Sequence, residues 1–250
     1  MDVRIQQSVV ANLSARPQPI EAGPFVIGLD PGTASPGINY ATPRPGAPIT
    51  SADVTALVKA FRAAGRKPRL EYVTSCAPRL EALLVVAGFA VEARHDYLVC
   101  SPGALTMPPL PDGFELREPV TEFQLAALIG AQNEAFGSEP VASEADVARV
   151  QRLQSDGGIA IMAVTGSGAC AGGGQAVPPN NGVSEVAGIA VREQYRRRGL
   201  AGAVTAGITG RLFAAGAEVA WLEASSEDSW RVYERVGYRP TGKRLYIALD

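Results

Sequence analysis

The chain has 250 residues, 46% of them hydrophobic and 19% charged, which is typical of a globular protein with one large or two small domains. Its formal net charge of −2 gives no bulk electrostatic reason to bind nucleic acid. The sequence has no apolar run long enough to span a membrane, and its N-terminus lacks a signal-peptide layout. We therefore expect a cytoplasmic protein that binds neither nucleic acid nor membranes.

The predicted elements of the first half alternate between helix and strand. In chain order they are a helix near the N-terminus, strands over 25–29 and 38–40, a helix over 50–64, a strand over 70–74, a helix over 78–87 and a strand over 91–100. A capping box at Thr50–Asp53 opens the second helix, and Gly65 and Gly88 follow the ends of the second and third. The proline-rich stretch 102–112 is the best candidate for a linker.

The second half starts this alternation afresh. In chain order it predicts a strand over 114–117, helices opened at 121–124 and 143–146, strands over 159–164, 169–177 and 186–191, a helix from 200, a strand over 219–223, a helix opened at 225–228, and a strand over 245–249. We expect Phe123, Leu128 and Ile129 to face inward. This order predicts the α/β class, with a mixed central sheet flanked by helices.

The two halves share their last stretch at an offset of 149 positions. At that offset Gly88 falls on Gly237, and Phe89 falls on Tyr238. A succession of strand, helix, glycine, aromatic residue and strand occurs in both halves. The sequence therefore predicts two related domains, over 1–110 and 111–250.

Few residues are available for metal or disulfide chemistry. Three widely separated cysteines, Cys76, Cys100 and Cys170, indicate buried thiols in a reducing compartment rather than a disulfide framework. His95 is the one histidine of the sequence, so we expect neither a metal site nor a Ser-His-Asp triad.

A basic turn between a strand and a helix forms a candidate anion site. The turn is Arg196-Arg197-Arg198-Gly199-Leu200-Ala201. The first amides of a helix have no intrahelical partner and lie at the positive end of the helix dipole. Gly199 has no Cβ and lets a ligand approach the backbone, and Arg196 can add a charged contact. These properties predict a phosphate-binding cradle.

Residues 113–250 resemble the GNAT superfamily of acetyltransferases. The Arg-x-x-Gly-x-Ala pattern at 196–201 follows the strand 185–191, and 230–238 is similar to the family's aliphatic-Tyr-Glu-x-x-Gly-aromatic helix. The resemblance implies that the cradle binds the pyrophosphate of acetyl-coenzyme A through Arg196, Arg197, Arg198, Gly199, Leu200 and Ala201. It also implies acetyl transfer to a primary amine of a small molecule or peptide, in a monomer or homodimer.

The resemblance assigns further roles to individual residues. Backbone groups of Ile189, Ala190 and Val191 would bind the pantetheine arm and the acetyl carbonyl. Tyr233 would donate a proton to the departing thiolate. Glu185 is the first candidate for the general base and Glu223 the second.

One position departs from the family pattern. Ser226 stands where the family often has Asn, with Ser229 three residues later, and both are expected to contact the cofactor. A cofactor-binding sensor without transferase activity remains an alternative.

Two further segments carry predictions, the first from the repeat and the second from its own composition. At the offset of 149, Arg196 falls on Ala47 and Gly199 on Thr50, so the first half is expected to be a degenerate GNAT-like domain that binds no coenzyme A. The run 172–174 consists of three glycines, which predict a bulge or a mobile loop rather than a phosphate loop.

Overall fold

The structure, a computed structural model, describes residues 1–224 and 226–250. Its helices are α1 (Asp2–Ser14), α2 (Ser51–Ala63), α3 (Leu80–Val86), α4 (Glu122–Ala135), α5 (Glu144–Ser155), α6 (Leu200–Ala214) and α7 (Glu227–Val236). Its strands are β1 (Gln18–Ala22), β2 (Phe25–Leu29), β3 (Tyr40–Pro43), β4 (Arg69–Val73), β5 (Ala90–Cys100), β6 (Phe114–Arg117), β7 (Ile159–Thr165), β8 (Cys170–Ala176), β9 (Val183–Val191), β10 (Val219–Ala224) and β11 (Arg239–Ala248). Within the described chain, no helix is both long and apolar enough to cross a bilayer.

The chain divides into two compact units. The first unit comprises Met1–Tyr97 and Thr241–Asp250, and the second unit comprises Leu98–Pro240. These bounds differ from the predicted division at 110/111 in two segments. Residues 98–110 group with the second unit because Leu98 and Cys100 lie in its core and the Thr106 amide donates to the Val236 carbonyl (2.9 Å). The stretch predicted as a linker is therefore packed.

The first unit is built on a mixed sheet in the order β1-β2-β3-β4-β11-β5. Its last strand, β11, pairs antiparallel with β4, which places Leu245 opposite Tyr72. These two side chains join α2 and α3 in one buried apolar core. The C-terminal strand thus supplies core residues to the first unit, and this explains why 241–250 group with it.

The second unit places helices on both faces of a sheet in the order β10-β9-β8-β7-β6. Successive residues of β7 point to opposite faces of the sheet. Ile161 packs into the core that contains α6, and Met162 packs into the core that contains α4 and α5. The predicted α/β class, with a mixed sheet flanked by helices, is confirmed.

Most predicted elements are present, and the capping boxes at Thr50–Asp53 and Thr121–Gln124 are formed. One packing prediction is wrong: Phe123 is 83% exposed, because position N2 of α4 lies on the side of the helix away from the core. The strand expected over 38–40 begins at Tyr40, after a turn, and the edge strand β1 was not predicted. Ser225 of the expected cap of α7 lies outside the described residues, and Ser226 is the N-cap.

The order of strand, helix, glycine, aromatic residue and strand that the sequence repeats is also present in both halves of the structure. Helices α2 and α6 begin at Ser51 and Leu200, which are 149 positions apart. Gly88 and Gly237 follow α3 and α7 in the left-handed conformation, with φ of +92° and +110°. Both glycines are followed by a buried aromatic residue.

Gly237 and Gly216 form a matched pair for a stability test. Both are left-handed residues at helix ends, but a Cβ on Gly237 would overlap the Ala104 carbonyl oxygen, whereas a Cβ on Gly216 meets open space. We expect Gly216→Ala to lower the free energy of unfolding by about 1–2 kcal/mol through backbone strain alone. Gly237→Ala should cost about 1–3 kcal/mol more, because the clash adds to the strain. Urea unfolding measures both, and equal losses would contradict the packing at Gly237.

Candidate active site

Strands β9 and β10 separate after a short paired stretch. Their parallel pairing joins Val219 to Val183, Ala220 to Ser184 and Trp221 to Glu185. Within the described chain, no pairing with β10 continues beyond Glu185, although β9 runs on to Val191. This side of β9 therefore has no strand partner beyond Glu185 among the described residues. The stretch lies at the carboxyl ends of the strands, where α/β sheets commonly bind a ligand.

A bulge shapes β9 within this open stretch. On β8, the partners Gly173 and Gln175 are two positions apart, whereas their partners Ala190 and Ala187 on β9 are three apart. Gly188 takes up the extra residue with a φ of +64°, a left-handed conformation that favours glycine. The bulge immediately precedes the predicted contact residues Ile189, Ala190 and Val191.

The basic turn ends at the uncapped N-terminus of α6. Gly199, the N-cap residue, has a φ of +90° and no side chain with which to cap the helix. The first intrahelical bond runs from the Ala203 amide to the Gly199 carbonyl (3.1 Å), so the amides of Leu200, Ala201 and Gly202 have no acceptor inside the helix. These donors and the helix dipole suit an anion.

The three arginines of the turn have different surroundings. Arg196 donates from Nε to the Val191 carbonyl (3.0 Å) and from Nη2 to the Ala135 carbonyl (3.4 Å), so it anchors the turn to β9 and α4. Arg197 is exposed in the left-handed conformation, with a φ of +60°. The exposed Arg198 lies over the Tyr195 ring at 5.9 Å. Of these three described arginines, only Arg196 donates side-chain hydrogen bonds to backbone carbonyls.

Tyr233 lies on α7 and is 8% exposed. It belongs to the same apolar core as Val191 and Leu200, and its ring meets the Tyr238 ring edge-on at 6.4 Å between centroids. Burial raises the pKa of Tyr233 to about 12. The phenol is protonated at neutral pH, as it would be with the ordinary tyrosine pKa of ~10.

The two candidate bases lie on the separating strands. Glu185 is half-buried at the last paired position of β9, and its carbonyl accepts from the Val177 amide (3.0 Å). Glu223 is half-buried on β10, two residues beyond the last paired position. Both residues have interaction partners. The fold thus places one candidate on each side of the opening.

Ser226 and Ser229 form the capping box of α7. The Ser226 hydroxyl accepts from the Ser229 amide (3.2 Å), and the Ser229 hydroxyl accepts from the Ser226 amide (3.0 Å). Both hydroxyls therefore have a structural role at this helix end. Their contact with a cofactor stays a prediction.

The corresponding helix N-terminus in the first unit, that of α2, is capped by its own side chains. The Thr50 hydroxyl accepts from the Asp53 amide (3.3 Å), and the Asp53 carboxylate accepts from the Thr50 amide (2.8 Å). A carboxylate therefore already lies at the N-terminus of α2, where its negative charge opposes a phosphate. The helix ends at Thr50 and Gly199 have opposite electrostatic character.

The register between β8 and β9 shifts between Gly173 and Gln175, at the glycine run for which the sequence predicted a bulge or a mobile loop, whereas the part of Gly188 in this bulge was missed. Side chains at Gly172 and Gly174 would overlap the Ala190 carbonyl oxygen and the Ile189 side chain, so this glycine run lies in β8 and allows close packing against β9. The glycine at 188 inside a strand was the available signal. Among residues 1–224 and 226–250, no three His, Cys, Asp or Glu side chains are grouped as a metal site.

Comparison with known proteins identifies the second unit. Residues 125–238 match the Acetyltransferase (GNAT) family. This part of the chain is a GNAT acetyltransferase domain. The matched range contains β9, the basic turn, α6 and α7, which are the elements of the candidate site.

Solved structures extend the likeness to the whole chain. A GCN5-related N-acetyltransferase from Kribbella flavida is 25% identical, with a TM-score of 0.81 over 100% of this chain and 96% of that chain. One from Sphaerobacter thermophilus is 17% identical (TM-score 0.65, 90% and 76% covered). A tandem GNAT protein from the clavulanic acid biosynthesis pathway is 13% identical (TM-score 0.63, 90% and 77% covered) and shares the fold. No curated protein sequence matches the chain.

Proposed function

We propose that the second unit is an N-acetyltransferase that transfers the acetyl group of acetyl-coenzyme A to a primary amine by direct attack in a ternary complex. The acceptor is a small-molecule or peptide amine. The observation that carries this proposal is the opening between β9 and β10, which leads to the uncapped end of α6.

The residues at this opening fit acetyl-coenzyme A. The amides of Leu200, Ala201 and Gly202, which have no acceptor inside α6, suit its pyrophosphate. The edge of β9 over Ile189–Val191 that has no β10 partner offers backbone groups to the pantetheine amides, apart from the Val191 carbonyl, which accepts from Arg196. Arg197 and Arg198 add positive charge.

The chemistry of acetyl transfer requires two proton movements. Acetyl-coenzyme A supplies an activated thioester, whose C–S bond breaks as the amine nitrogen forms its bond to the acetyl carbon. Glu185, or Glu223 as the second candidate, accepts the proton that the amine loses. Tyr233, which is protonated at neutral pH, donates a proton to the departing sulfur.

The first unit is proposed to be a degenerate GNAT-like domain without a second cofactor site. Its α2 helix is capped by the Thr50 hydroxyl and carries the Asp53 carboxylate at the N-terminus. We infer one molecule of coenzyme A for each chain.

A thiol-release assay tests the proposed reaction. The protein, acetyl-coenzyme A and a panel of primary amines should release free thiol at a rate that depends on the amine. Calorimetry with coenzyme A should give one site for each chain. Binding without thiol release for any amine would instead indicate a cofactor sensor, and absence of binding would reject the proposal.

Gly199→Glu tests the anion cradle, with Gly216→Glu as its matched control. Both glycines are left-handed residues that flank α6, with φ of +90° and +91°. A carboxylate at the N-terminus of α6 should repel pyrophosphate and weaken coenzyme A binding at least 10²-fold, whereas the control at the other end should change it less than about threefold. Unchanged calorimetric affinity in Gly199→Glu would contradict the cradle assignment.

Tyr233→Phe tests the proton donor. Among the described residues, no hydrogen-bond partner of the Tyr233 hydroxyl is present, so its removal should leave stability nearly unchanged while kcat falls on the order of 10²-fold. Tyr238→Phe is the control, because it removes a buried hydrogen bond to Thr209 (2.6 Å). This control should lose about 1 kcal/mol of stability and retain most of its kcat. A normal kcat in Tyr233→Phe would exclude Tyr233 as the donor.

A further inference from the structure

The last turn of α4 contacts the chain on both sides of the segment Ile189–Val191 of β9. The Gln132 Nε2 donates to the Gly188 carbonyl oxygen (2.8 Å), just before Ile189. Glu134 forms an ion pair with Arg192 (2.8 Å), just after Val191. The segment Ile189–Val191 is therefore bracketed by two contacts from one helix turn.

The Gln132 contact depends on close approach of helix and strand. A Cβ on Gly188 would lie 2.5 Å from Gln132 Nε2, so another residue at 188 would displace the carboxamide. One helical turn earlier, Leu128 is fully buried and lies so close to β8 that a Cβ on Gly173 would overlap it. Leu128 and Gln132 share one face of α4, because residues four apart lie above one another. This face of α4 therefore packs against both β8 and β9.

The Gly188 carbonyl lies at the bulge and accepts a hydrogen bond from a side chain. The regular register with β8 is interrupted between Ala187 and Ala190. At such a position the local ladder does not fix the peptide direction, and a side-chain donor can do so. The next peptide units along the chain are those that the proposed function assigns to the pantetheine arm and the acetyl carbonyl.

We propose that Gln132 is a positioning residue, which fixes the bulge at Gly188 and thereby the direction of the Ile189–Val191 backbone toward the thioester. This inference rests on the proposed function for its catalytic consequence. Gln132 acts through Gly188 and does not itself contact the reacting atoms. The pyrophosphate cradle is a separate element, so orientation of the acetyl group depends on Gln132 more than cofactor affinity does.

Gln132→Met and Gln154→Met form a matched experiment. Methionine keeps the length and flexibility of glutamine and removes its donor. Gln154 lies on α5, and its Nε2 donates to the Pro119 carbonyl (3.0 Å) and to the Glu118 carboxylate (3.3 Å), so the control also loses a carboxamide donor, but away from β9. Gln132→Glu keeps the shape of the side chain but replaces the donor with a carboxylate oxygen.

Two measurements follow, the first without any ligand. Hydrogen exchange of peptides that span 186–192 should become faster in Gln132→Met and Gln132→Glu, and remain unchanged in Gln154→Met. Steady-state kinetics should then show kcat lower by about tenfold to 10²-fold in both Gln132 variants, with the dissociation constant of coenzyme A changed less than about threefold. A purely structural role would lower the melting temperature without this separation of kcat from affinity.

Three results would overturn or replace the positioning role of Gln132. Unchanged exchange over 186–192 in a folded Gln132→Met, or unchanged kcat, would overturn the positioning role. A loss of kcat in Gln154→Met equal to that in Gln132→Met would overturn it as well. Failure of the wild-type protein to bind coenzyme A or release thiol would reject the proposed function itself, and the wild-type control alone would reveal it.

Discussion

Parallel pairing between β9 and β10 stops after Glu185, and the candidate site depends on this interruption. A sheet that remained paired would use the backbone groups of 186–191 in its own hydrogen bonds. Separation leaves the β10-facing edge of β9 without a strand partner, while the bulge at Gly188 redirects the strand within the open stretch. The same strand then enters the basic turn and α6, so one continuous segment of chain supplies both the strand edge and the helix end.

The helix ends and the basic turn could be predicted from residues that are close together in the sequence. Capping boxes at Thr50–Asp53 and Thr121–Gln124 and glycines at 65, 88 and 237 mark helix ends, because few residues satisfy orphan amides or adopt positive φ. The turn at 196–201 was identified for the same reason. Residues whose role is set within four or five positions could therefore be predicted from the sequence.

Long-range packing could not be predicted in this way. Phe123 matches an inward helical position by spacing, but the core does not reach that side of α4. The contact from Gln132 to Gly188 joins residues 56 positions apart, and no local pattern indicates it. The segment 241–250 follows the second half in sequence but pairs with β4, because the register of β11 places Leu245 and Ile247 in the first unit's core.

The contrast between Thr50 and Gly199 has a thermodynamic consequence. A capped helix end gains stability from its own side chains, whereas the end at Gly199 gives up that contribution. An anion that binds there restores the missing hydrogen bonds and acts as an external cap. Ligand concentration then becomes part of the folding equilibrium of the second unit, since any molecule that binds only the native state stabilises it by mass action. Helix α2 of the first unit is capped by side chains of the protein itself, so the stability of this helix end does not depend on ligand concentration.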